Sequence, residues 1–124
     1  MVFKKLDLFS EDLAGKDINT DLGIDPESVR LFDLNVINQV NEIIKYYMDE
    51  IQSIEEMDYV EYEIFKLNDI TAEYIAKRTY EAVIKKTLAD IELLYHIGFT
   101  IFSNSLYEEL SKLINSLKEE LLNI

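Results

Sequence analysis

Beyond residue 25, apolar side chains recur every three or four positions, the period of a helix with one buried face. Ile37, Val40, Ile44, Tyr47, Ile51 and Ile54 follow one another at 3-4-3-4-3 spacing, a seam longer than two heptads. Val29, Phe32, Val36 and Ile43 flank it. Asp25-Pro26-Glu27 marks the start: an aspartate that can cap, a proline suited to the first helical position, and an acid at the positive end of the dipole. The pattern predicts a helix over about 26–54.

Over about 56–67 the pattern supports a short helix or a strand. Tyr59-Val60-Glu61-Tyr62-Glu63-Ile64-Phe65 alternates partly at period two and is rich in β-formers, whereas Met57, Val60, Ile64 and Leu67 keep helical spacing. Helix is the preferred reading. The α+β alternative pairs short strands near 59–67 and 97–102. Asn68-Asp69 then caps a helix over about 70–97, whose apolar face is Ala72, Ala76, Tyr80, Val83, Thr87, Ile91 and Leu94. Gly98 weakens or ends it. Ser105-Leu106-Tyr107-Glu108 reads as a capping box opening a last helix over about 106–122. Its stripe is Leu106, Leu110, Leu113, Leu117 and Leu121, widened by Ile114.

Residues 1–24 read as an arm or loop. They hold Gly15 and Gly23, and Ser10 can cap a short turn that Gly15 ends. The expected fold is all-α: one domain over 1–124, a small bundle of three to four amphipathic helices with an N-terminal arm. Its 124 residues suffice for one core. A first helix of roughly 44 Å would outrun a last helix of about 26 Å. Part of the Ile37–Ile54 seam then needs the 56–67 segment, the arm or a second subunit to cover it.

Charge changes the functional picture. Twelve basic and 25 acidic residues give −13. Such a chain repels nucleic-acid backbones and anionic membrane surfaces, so neither is an expected partner. No apolar run approaches the ~18 residues of a membrane span. Met1-Val2-Phe3-Lys4-Lys5-Leu6-Asp7 lacks an apolar signal core, so no signal peptide is expected. Absence of cysteine excludes disulfides and thiolate metal sites and fits a reducing compartment. The expected location is the cytoplasm, or a host's cytoplasm for a viral protein. The abundance of Ile, Lys, Asn, Tyr and Glu fits an AT-rich genome such as that of a phage, an archaeal virus or a low-GC bacterium.

The acidity is uneven. Residues 31–69 hold ten acids against Lys45 and Lys66, and no basic residue stands between Tyr46 and Phe65. Asp49, Glu50, Glu55, Glu56, Asp58, Glu61 and Glu63 are interleaved there with Tyr46, Tyr47, Tyr59 and Tyr62. Acids with neighbouring tyrosines suit a contact with a basic partner, because tyrosine is enriched in interfaces and acidic rims speed association. The bland reading is a solvated face that keeps the protein soluble.

Other candidate chemistry is sparse. Asp17-Ile18-Asn19-Thr20-Asp21-Leu22-Gly23-Ile24-Asp25 resembles an EF-hand calcium loop, which implies Asp17, Asn19, Asp21 and Asp25 as oxygen ligands. Leu22 stands where that family has glycine, and Ser28 where it has a bidentate glutamate. Asp21-Leu22-Gly23-Ile24-Asp25 is also similar to the start of the second helix of an acyl carrier protein. Pro26 replaces the serine that carries its prosthetic group, so that chemistry does not transfer. His96 is the lone histidine, with Glu92 four residues before it. Paired carboxylates (Asp49-Glu50, Glu55-Glu56, Glu108-Glu109, Glu119-Glu120) fall where a solvated face belongs. Phosphate loops, the GxSxG elbow and a nucleophile–base pair are all missing.

The expectation is therefore a non-catalytic acidic protein, without cofactor, acting by protein–protein interaction as a small regulator, inhibitor or assembly component. The alternatives are a homo-oligomeric structural bundle and a DNA-mimic inhibitor of a nucleic-acid-binding protein.

Overall fold

The computed structural model describes residues 3–18, 23, 25–65, 69–97 and 103–124, with the side chains of 57–65 and 69–72 outside that description. Three α-helices follow a 3-10 turn at Glu11–Leu13: α1 (Pro26–Phe65), α2 (Asp69–Ile97) and α3 (Asn104–Leu122). The described residues contain no strand, so the α+β alternative is not supported. Residues 59–65 are the last turns of α1, and Ile97 ends α2, while 66–67 and 98–102 lie outside the described residues. The separate elements expected at about 26–54 and 56–67 are one helix as far as Phe65. Between Pro26 and Gly98 the chain has no glycine or proline to stop it. The β-propensity of Tyr59–Phe65 is a weak preference that a continuing helix overrides.

Caps set the starts. Asp25 accepts from the Glu27 amide (3.3 Å) and the Ser28 hydroxyl (3.0 Å), as expected for the α1 cap. Ser10 accepts from the Asp12 amide at 3.2 Å and opens the short turn. For α3 the expected capping box is corrected. The cap is Ser103, whose hydroxyl accepts from the Leu106 amide at 3.3 Å, and Ser105 donates instead to Asp17 Oδ2 at 2.7 Å. Ser103 prevails because its own N–H is held by Asp33 Oδ1 at 3.2 Å.

Asp33 is a hub. It is fully buried, and its second oxygen accepts from the Gly15 amide at 2.9 Å. One carboxylate thus ties together the arm, α1 and the start of α3. Gly15 is needed at its place: its φ is +71°, and an added Cβ would lie 2.9 Å from Arg30 Cβ.

Further α1 side chains continue the clamp on the arm. Asn41 pairs with Phe9, accepting from its N–H (2.7 Å) and donating to its carbonyl (3.0 Å). The Tyr47 hydroxyl donates to the Lys4 carbonyl at 2.9 Å. Successive contacts at Lys4–Tyr47, Phe9–Asn41 and Gly15–Asp33 show the arm running antiparallel to α1. On its other side, Lys4 Nζ donates to Ser116 Oγ on α3.

α2 packs against both α1 and α3. The arm lies between the other two helices and contributes Phe3 and Leu6 to the same core. It fills the place of a fourth helix. The seam Ile37, Val40, Ile44, Tyr47, Ile51 and Ile54 is consequently buried within one chain, as are Leu106, Leu110, Leu113 and Leu117. The shortfall expected from helix lengths is made up by the arm and α2. At the far end, Tyr80 donates to Glu120 Oε1 at 2.8 Å, close to the end of α3. The first eleven residues of α2, roughly 16 Å, precede that point, so the α1–α2 pair outruns α3.

Candidate interaction surface

The arm occupies one flank of α1. The opposite flank, where α1 meets α2, is an open groove of about 450 Å³. Gln39, Glu42, Ile43 and Tyr46 of α1 form one wall, and Lys86, Asp90, Leu93 and Leu94 of α2 the other. Spacings of three and four residues put each set on one helix face. The walls meet where Lys86 Nζ sits 4.1 Å from the centre of the Tyr46 ring. The same ammonium is 3.7 Å from Asp90 Oδ2. Leu93 is 61% exposed and Ile97, one turn further on, 62%. Tyr46 is 40% exposed. These are large apolar surfaces for one side of a small protein.

The acidic residues singled out from sequence divide around α1. Glu50, one turn beyond Tyr46, continues the groove side. Asp49 and Glu56, seven residues apart, share the outer face, and Glu55 turns toward the arm side. The described members therefore form no single row. Asp58, Tyr59, Glu61, Tyr62 and Glu63 belong to the last turns of α1, with side chains outside the described residues.

Their electrostatic setting differs from that of α2. The acids on α2 whose side chains are described have nearby bases: Glu73–Lys77, Glu81–Arg78 and Lys85, Asp90–Lys86 and Glu92–Lys118. On α3 Glu109 pairs with Lys112, and Glu108, Glu119 and Glu120 make no ion pair among the described residues. Among the described residues no ion pair engages Glu42, Asp49, Glu50, Glu55 or Glu56 of α1; Glu56 only accepts from Gln52 at 3.2 Å. Acids without an ion pair thus stand beside the groove and on the α1 surface beyond it, and recur on α3.

The other candidates are accounted for locally. Asp17 adopts φ +57° and binds Ser105, Asp25 caps α1, and Asn19 and Asp21 lie outside the described residues. His96 is exposed with its ring edge-on to Tyr95, and Glu92 pairs with Lys118 at 3.4 Å. Among the described residues there is no group of three or more His, Asp or Glu able to hold a metal, and no helix long and apolar enough to cross a membrane.

Sequence reading missed the groove and the Asp33 hub. Leu93 and Ile97 gave a signal, an apolar i, i+4 pair lying off the core stripe of α2. No family model, curated protein or solved structure matches this chain.

Proposed function

We propose that the protein acts without chemistry of its own, by binding a basic protein through the α1 surface and its groove with α2, as a regulator, inhibitor or assembly component. The observation that carries this reading is the pairing of exposed apolar groove walls with acids that make no ion pair among the described residues. An apolar centre with a polar rim is the anatomy of a protein interface. An acidic rim speeds encounter with a basic surface.

The test is recovery of the partner from the cells that make the protein, at two salt concentrations and with a charge-reversed chain. Going from about 0.1 M to about 1 M salt shortens the screening length from about 10 Å to about 3 Å. A basic partner should be retained at low salt, weakened at high salt, and lost from the triple variant Asp49→Lys, Glu50→Lys, Glu56→Lys. Circular dichroism of that variant should remain helical, because all three residues lie outside the core. Retention by the variant, or binding indifferent to salt, sinks the reading.

A further inference from the structure

We propose that the α1–α2 groove is the seat of a basic amphipathic helix from the partner, which would lie there as an added helix on the side of the bundle away from the arm. This deepens the binding reading above and rests on it. Gln39 to Tyr46 and Lys86 to Leu94 each run about 11–12 Å along their helices, two turns of a third helix laid beside them. Two packed helices present ridges and grooves that accept such a helix. Ile43, Leu93 and Leu94 offer apolar holes for its i, i+3, i+4 and i+7 side chains, and exposed Ile97 lengthens the strip by a turn.

The charge of the occupant follows from Lys86. Its ammonium lies over the Tyr46 ring (4.1 Å) and against Asp90 (3.7 Å), so the groove already holds one cation by an aromatic face and a carboxylate. Glu42 and Glu50, without basic partners among the described residues, stand beside it and supply sites for more cations. A second copy of the chain fits worse. Each copy carries −13, and joining two groove sides sets uncompensated carboxylates against each other.

The experiment titrates the full chain with a designed helical peptide of roughly 18 residues, long enough to hold helix in water. It carries leucines on one face and lysines and arginines on the other. Anisotropy gives the affinity, and backbone amide shifts locate the contact. Binding should move the amides of Ile43, Tyr46 and Leu93. Leu93→Glu, an exposed change that leaves the core intact, should weaken binding at least about tenfold, as loss of a central contact does. Lys86→Met, which vacates Tyr46 and Asp90, should strengthen it severalfold. Lys85→Met removes the same charge from a lysine paired with Glu81 outside the groove, and should do much less.

Shifts mapping elsewhere, absence of binding, equal effects of Lys86→Met and Lys85→Met, or sedimentation showing a second copy in the groove would each overturn the assignment. If the peptide fails while the charge-reversed chain still loses its native partner, the groove assignment falls and the binding function stands. If that partner is also retained, both fall.

Discussion

Removing the Asp33 carboxylate should cost a large share of the protein's stability. It accepts from Ser103 N–H in a buried setting and from Gly15 N–H in a partly buried one. In Asp33→Ala both donors lose their acceptor. An orphaned buried donor costs about 1–3 kcal/mol, the upper part of that range applying to Ser103 and the lower to Gly15, which water can partly reach. A net loss of about 3 kcal/mol follows, against about 5–15 kcal/mol for a whole domain. Asp33→Asn keeps the size and one good acceptor but turns an NH2 toward the second donor, so about 2 kcal/mol should be lost. Urea unfolding followed by circular dichroism measures both, with an unchanged slope showing that the same surface is exposed. Amide hydrogen exchange supplies the local readout: Gly15 and Ser103 should lose protection before the middle of α1 does. Losses under about 1 kcal/mol in both variants, with those two amides still protected, would refute the hub.

Thr87 is fully buried on α2 and its hydroxyl has no hydrogen-bond partner among the described residues. Thr87→Val should therefore stabilise by about 1 kcal/mol, raising Tm by roughly 3–5 °C in calorimetry; a fall in Tm contradicts the orphaned hydroxyl. Gly15→Ala should cost about 1–2 kcal/mol from its left-handed backbone alone, before the contact with Arg30 is counted. No loss in urea unfolding would mean the arm does not hold that conformation. Burial pushes the hydroxyls of Tyr47 and Tyr80 above the ordinary tyrosine range. The unfolded chain then loses these protons near pH 10 while the fold keeps them. Stability should be flat below that pH and fall above it by about 1.4 kcal/mol per pH unit for each tyrosine. Tyr80→Phe should flatten the fall; an unchanged alkaline profile contradicts the burial of its hydroxyl.

The helices were legible because their signals are local. Pro26, Gly98 and the 3-4 spacing of the seam bound and orient two long helices without reference to anything distant. Tyr47 and Thr87 were readable as core positions for the same reason. Asp33 was not, because nothing near it in sequence marks one acid among ten as buried; its partners stand 18 and 70 residues away. The α3 start went to Ser105 because Ser105 and Glu108 match a capping box, and only the long-range hold on Ser103 decides between two serines. The acidic stretch was visible as composition. Its division among three sides of α1 follows from a continuous helix, and the meeting of Tyr46 with Lys86 from the antiparallel register of α1 and α2.

The central claim is that the α1–α2 groove contacts another protein. Photo-crosslinking from position 93 tests it most directly. Leu93 is 61% exposed, so photoreactive benzoylphenylalanine can replace it without disturbing the core. Irradiated in the cells that make the protein, that chain should give one discrete adduct with a basic protein, and the same group at exposed Asn115 on α3 should not. An adduct of twice the chain's own mass, or equal yields from both positions, would contradict the claim.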